Sequence, residues 1–249
     1  LIAETGGQNA LIADSSALPE QLVKDTLSAA FGSAGQRCSA ARVLLVQADI
    51  AERVIELLAG AMDELRVGDP GLLSTDVGPV IDTDALATLQ AHAERMDREA
   101  RLIKQVSLDD STAHGSYFAP RAYELQSLDQ LQREVFGPVL HVIRYAAADL
   151  DKVIDAINAT GYGLTLGIHS RIDDTVQRIA SRAHVGNCYV NRNQIGAVVG
   201  VQPFGGEGLS GTGPKAGGPH YLLRFATERT LTINTTAAGG NASLLTLAE

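Results

Sequence analysis

The sequence has no tryptophan, two methionines, five phenylalanines and six tyrosines, so its core must rest on aliphatic side chains more than on aromatic ones. It has two cysteines, Cys38 and Cys188, 150 positions apart. A secreted disulfide framework needs several closely spaced pairs, so the expectation is free thiols in a reducing compartment, the cytoplasm. Cations are in deficit: 20 Lys and Arg against 29 Asp and Glu leave a formal net charge of −9. That balance argues against a nucleic-acid footprint, which needs clustered Lys and Arg facing phosphates. No run reaches the roughly 18 uninterrupted apolar residues of a membrane span. Three Asn-x-Ser/Thr sites, at Asn158, Asn234 and Asn241, have no secretory signal beside them and read as chance matches. The six histidines, at 92, 114, 141, 169, 184 and 220, show no ligand spacing with the cysteines, so no metal site is expected. The partner that remains is a small molecule.

The 249 residues are ample for a substantial core. They open on Leu1-Ile2-Ala3, which reads as part of a buried strand, and without an initiator Met; the expectation is a piece of a longer chain. From Pro19 a helical period (Leu22, Val23, Leu27, Ala30, Phe31) predicts a helix running to Gly35, with Ser15 or Ser16 as its cap. Further helices are predicted from Asp49, from Asp82 to about Arg101, at about Asp149 to Asn158 and from Asp173 to Ala183. Between them, strands are predicted at Arg42 to Val46, Leu102 to Val106, Val139 to Tyr145, Leu164 to His169 and Gly186 to Asn191, with an extended stretch from Tyr117 to Leu125. This alternation predicts an α/β fold, a doubly wound and mostly parallel sheet. The Gly- and Pro-crowded segment from Gly196 to Gly218 predicts a folded loop, and Thr230-Leu231-Thr232-Ile233 a strand in a C-terminal tail.

Gly35-Gln36-Arg37-Cys38-Ser39 sets a cysteine in a Gly-rich turn just past a helix, where a side chain can face a cleft. A free thiol is mostly protonated at neutral pH, so a nucleophile needs help, and Arg37 stands beside it. A buried structural cysteine is the alternative reading. Glu4-Thr5-Gly6-Gly7 carries a carboxylate at the end of the short apolar opening run; a solvated loop residue is the alternative there. Gly206-Glu207-Gly208-Leu209-Ser210-Gly211 matches the dinucleotide pattern Gly-x-Gly-x-x-Gly, but no apolar strand precedes it and no helix follows. It therefore cannot present helix amides to a pyrophosphate. Cys188, in Asn187-Cys188-Tyr189-Val190, reads as a strand cysteine in the core.

Glu-x-Gly-Gly followed 34 residues later by the cysteine of Gly-Gln-x-Cys resembles the paired signature of the aldehyde dehydrogenase superfamily. Glu134-Val135-Phe136-Gly137-Pro138, Asn158-Ala159-Thr160-Gly161-Tyr162-Gly163-Leu164 and Pro203-Phe204-Gly205-Gly206 leading to Ser210-Gly211 extend the resemblance, in the family's order, from Leu1 to about Ile233. The resemblance implies that Cys38 attacks an aldehyde carbon and that Glu4 activates the water that hydrolyses the thioester. It implies NAD as cofactor, with Glu134 on the nicotinamide ribose and Phe136 near the ring; without it, these two would read as a surface carboxylate and a core aromatic. Residues 1–18 would then end an NAD-binding domain, 19–224 form the catalytic domain, and 225–249 form an oligomerisation strand and tail.

Ser39 and the run Ile195-Gly196-Ala197-Val198-Val199-Gly200 before Gln202-Pro203-Phe204 resemble the glutamate-γ-semialdehyde dehydrogenase subfamily. There the hydroxyl matching Ser39 and the amides matching Gly196 and Ala197 hold the substrate's α-carboxylate, and Phe204 joins the substrate-binding set. The tail from Asn234 to Ser243 resembles the end of bifunctional bacterial flavoenzymes of proline catabolism. In those an upstream proline dehydrogenase module carries FAD and the whole associates with the membrane periphery. The partners implied are a small aldehyde, the upstream half of the same polypeptide and further copies of the chain, with no turnover expected from these residues alone. Two other classes stand beside this reading. A cysteine hydrolase would need a His base that no motif supplies, and a non-catalytic assembly piece would be left if half the cofactor cleft were missing.

Overall fold

A computed structural model describes residues 1–234 and 237. Its centre is a seven-stranded sheet built from short apolar runs, because a strand covered on both faces by helices gains from apolar side chains on both. In chain order the strands are β1 (Ala10–Ala13), β2 (Val43–Gln47), β3 (Arg101–Gln105), β4 (Arg121–Leu125), β5 (Val139–Tyr145), β7 (Thr165–His169) and β8 (Asn187–Val190), lying in the order β3-β4-β5-β2-β1-β7-β8. A separate two-residue strand, β6 (Tyr162–Gly163), pairs with β9 (Glu207–Gly208). All neighbours in the large sheet are parallel except β3, which closes one edge antiparallel to β4. The predicted doubly wound, mostly parallel α/β sheet is what forms.

Helices α1 (Pro19–Phe31), α2 (Ala48–Asp63), α3 (Thr83–Glu99), α4 (Leu150–Ala159) and α5 (Asp173–Arg182) follow the predicted alternation within a few residues. Asp82 caps α3, accepting from the Ala85 N–H at 2.8 Å. Leu11, Ile12, Leu22, Leu44, Leu58, Met62 and Leu89 are wholly or almost wholly buried, giving the aliphatic core that the composition requires.

Five expectations need correction. The opening residues Leu1 to Ala3 form no sheet strand; Ala3 and Thr5 instead pair with the loop at 210–212, and the first strand of the sheet is β1, a run of only four residues between β2 and β7. Helix α1 ends at Phe31, four residues early, because Ser33 and Ala34 turn left-handed at φ 55° and 53°. Its N-cap is Leu18, with no side-chain cap, since Ser16 bonds Asp14 instead. Cys188 lies on β8 as predicted but faces outward, because β8 is the edge strand and its residues alternate between buried and exposed. The run Thr230–Ile233 carries no strand and is exposed, and the rest of the predicted tail lies outside the described residues. Among the described residues no helix is long and apolar enough to cross a membrane.

Candidate active site

The turn between α1 and β2 carries Cys38, and three independent supports fix its path. The first is Gly35, at φ +65°, where an added Cβ would stand 2.1 Å from the Gly137 carbonyl oxygen. Only a residue without a side chain fits that crossing. The second is Asn9, 3% exposed, whose Nδ2 donates to the Cys38 carbonyl at 2.6 Å and the Ala40 carbonyl at 2.9 Å while its Oδ1 accepts from the Thr165 N–H at 3.2 Å. The third is Arg42, 1% exposed, whose Nη1 donates to the Gly35 carbonyl at 2.6 Å and whose Nη2 donates to the Arg37 carbonyl at 2.9 Å. Neither Asn9 nor Arg42 belongs to a recognisable motif. Their signal in the sequence is only that a polar or charged residue stands immediately before a run of four apolar residues.

Arg42 also reaches Glu134, with Nη2 3.1 Å from Oε1, and its guanidinium carbon lies 5.0 Å from the centre of the Phe136 ring. Gly6 approaches the same carboxylate so closely that a Cβ there would stand 1.8 Å from Glu134 Oε2. Three segments far apart in sequence thus meet: 4–7, 35–42 and 134–137.

Cys38 is half-buried and free. Its thiol is pushed up first by burial and then by the Glu134 carboxylate, and is held down by backbone N–H bonds from Ser39 and Cys38 and by the Arg42 charge. Arg37, expected to help the thiol, is exposed and its Nε donates to Ser33 Oγ at 3.0 Å; the cation that acts on the thiol is Arg42. Cys38, Ser39, Gly196, Ala197 and Phe204 line one open pocket of about 470 Å³ together with Gln36 and Arg37. Phe204 is held there by paired backbone bonds with Ala216, 3.0 and 2.8 Å long. Glu134 and Phe136 line a second pocket of about 520 Å³ with Thr88, His92 and Arg95. Glu4 lines neither; it is exposed and forms an antiparallel bridge with Gly211. The Gly-x-Gly-x-x-Gly decoy is loop, its β9 portion pairing antiparallel with β6 and no helix following. Among the described residues no group of three or more His, Cys, Asp or Glu side chains is gathered as for a metal ion.

The aldehyde dehydrogenase family profile matches residues 1–231, and the chain belongs to that family. Its relatives are more particular than the family. The bifunctional protein PutA of Klebsiella aerogenes is 56% identical over 234 residues, covering 92% of this chain and 18% of that protein. The crystal structure of a mutant of Bradyrhizobium japonicum proline utilization A superposes with a TM-score of 0.91 at 61% identity, over 96% of this chain and 24% of the other. The structure of a 1-pyrroline-5-carboxylate dehydrogenase from Thermus with bound NAD gives a TM-score of 0.81 at 35% identity, over 90% of this chain and 43% of that one. The chain therefore spans less than half the length of these relatives.

Proposed function

We propose that this chain is the nucleophile-bearing part of an NAD-dependent dehydrogenase that oxidises L-glutamate γ-semialdehyde to L-glutamate. The observation that carries the reading is the pocket in which Cys38, Ser39, Gly196, Ala197 and Phe204 come together. Residues 39 and 196 are 157 positions apart in sequence, so only the fold places a hydroxyl and a glycine turn beside one thiol. A turn with φ +71° at Gly196 and open space where its side chain would be can present main-chain N–H groups to a carboxylate.

Cys38, as thiolate, adds to the aldehyde carbon and leaves an oxyanion, which loses hydride to give the thioester. Glu4 takes a proton from water, the hydroxide adds to the thioester carbon, and the Cys38 thiolate departs with the acid released. NAD, when bound, supplies the hydride acceptor. The exposed Phe136 ring beside the Glu134 carboxylate suits a nicotinamide and its ribose, one surface being apolar and the other accepting hydroxyl hydrogen bonds. The relatives' names, proline utilization and 1-pyrroline-5-carboxylate dehydrogenase among them, support placing this activity in proline breakdown. A cytoplasmic location agrees with two unpaired thiols. Assembly with further copies agrees with the exposed apolar residues Leu231 and Ile233 of the tail.

Ser39→Ala in the full-length protein tests the substrate. Loss of one hydrogen bond to a charged group costs about 1.5–3 kcal/mol, so kcat/KM for glutamate semialdehyde should fall about ten- to a hundredfold, while a carboxylate-free aldehyde of similar length is hardly affected. Equal losses with both would return the substrate to an unspecified aldehyde.

A further inference from the structure

Arg42 is among the largest fully buried side chains of the chain, at 1% exposure, and it is not placed there by stability alone. Burying a guanidinium costs more than burying an apolar residue of the same volume, and here the Nε–H is left without a partner. What the burial achieves is a junction. One side chain spans the Gly35 and Arg37 carbonyls on the nucleophile turn, the Gly137 carbonyl at 3.4 Å and the Glu134 carboxylate at 3.1 Å. Its own carbonyl accepts from the His141 backbone N–H at 3.0 Å and from His141 Nδ1 at 3.0 Å, which anchors it to β5.

The charges around Cys38 are few. Glu134 opposes ionisation of the thiol and Arg42 favours it. Arg37 turns its side chain to Ser33. His92 and His141, behind Arg42, have pKa values lowered by burial to about 4 and about 3 and are neutral at working pH. Among the described residues, Arg42 is the cation that acts on the thiol.

We propose that Arg42 is the positioning residue that holds the nucleophile turn and the Glu134 carboxylate in one register, and that its buried charge stabilises the Cys38 thiolate. The inference rests on Cys38 being the nucleophile and extends that reading to how the thiol is activated. No proton transfer by Arg42 is involved; the thiol proton leaves to solvent and the guanidinium offsets the charge left behind.

The test is the rate of Cys38 alkylation by iodoacetamide against pH in the full-length protein without NAD, resolved by peptide mass spectrometry with Cys188 as internal control. Arg42→Met should raise the midpoint by about half a pH unit, making Cys38 about threefold slower at neutral pH. Glu134→Gln should shift it the other way, with Cys38 about threefold faster. Arg42→Lys keeps the charge but lacks the planar fork; it should restore the alkylation profile while kcat for any accepted aldehyde stays depressed and KM for NAD stays raised. A folded Arg42→Met with an unmoved midpoint overturns the proposal, as does full recovery of kcat and KM by lysine. If Arg42→Met does not fold, Arg42→Lys decides: a midpoint moved up despite the retained charge, or kcat and KM for NAD equal to those of the parent, overturns the proposal. Because alkylation needs no substrate, a protein that fails to oxidise glutamate semialdehyde but shows these shifts would lose the substrate assignment and keep this one.

Discussion

Asn9→Ala removes one side chain and strands three buried backbone groups. The carbonyls of Cys38 and Ala40 lose their donor, and the Thr165 N–H, at the start of β7, loses its acceptor. Each buried group left without a partner costs about 1–3 kcal/mol. Some relaxation and water entry are expected, so the net loss should be about 3–5 kcal/mol. With a urea m-value of about 1–3 kcal/mol per molar, the transition of the domain holding Asn9 should move down by at least about 1 M. The loss should be concentrated in the nucleophile turn, so Cys38 alkylation should become less pH-selective and kcat should fall more than KM rises. Asn9→Asp separates hydrogen bonding from packing. It fills the same space and can accept from Thr165, but it turns a carboxylate oxygen towards two carbonyl oxygens, so it should be at least as damaging as alanine. An aspartate variant close to wild type, or an alanine variant whose urea midpoint moves by less than about 0.3 M with kcat intact, would show that Asn9 merely fills space.

Other perturbations reach different parts of the site. Cys38→Ala should abolish aldehyde oxidation without loss of fold, measured by activity beside circular dichroism; retained turnover would remove the nucleophile assignment. Glu4→Gln should give a stoichiometric burst of NADH with slow turnover, since the thioester forms but its hydrolysis lacks a base; turnover at the parent rate would exclude Glu4 as that base. The buried pair His92 and His141, whose Nε2 atoms lie 3.0 Å apart, gives a pH limb. Burial, then their mutual repulsion or nearby arginines, holds their pKa values at about 4 and about 3, below the ordinary 6.5. The unfolded chain binds more protons below pH 6.5, so the stabilisation is fully present above that value and is lost as pH falls towards 4. For His141 alone the loss at pH 5 is about 2 kcal/mol. His141→Asn, which can still donate to the Arg42 carbonyl, should flatten the urea-midpoint profile between pH 6.5 and 5; an unchanged profile would place the limb elsewhere.

The sequence by itself determined the layered alternation of strands and helices, because period and length report local structure directly: Val139–Tyr145 and Thr83–Glu99 declare themselves through apolar runs and amphipathic spacing. It also determined Cys38, Glu4, Glu134 and Phe136 as candidates, since their neighbours form recognisable motifs, and it exposed the glycine decoy, which lacked a strand before it and a helix after it. It misplaced the first strand because Ala10–Ala13 is four residues, half of them alanine, too short for a period to show. It misplaced the end of α1 because two left-handed residues, Ser33 and Ala34, are tolerated only where tertiary contacts hold them. Which face of β8 meets solvent depends on its being an edge, a property of strand order and not of the strand's own residues. Ser39, Gly196 and Phe204 were grouped in advance only by resemblance, their shared pocket being a property of the fold, and the roles of Asn9 and Arg42 were decided by the tertiary structure alone. Both side chains bind backbone carbonyls, and carbonyls leave no mark in the sequence: any residue supplies one, so only the folded path shows which ones a buried amide or guanidinium will reach.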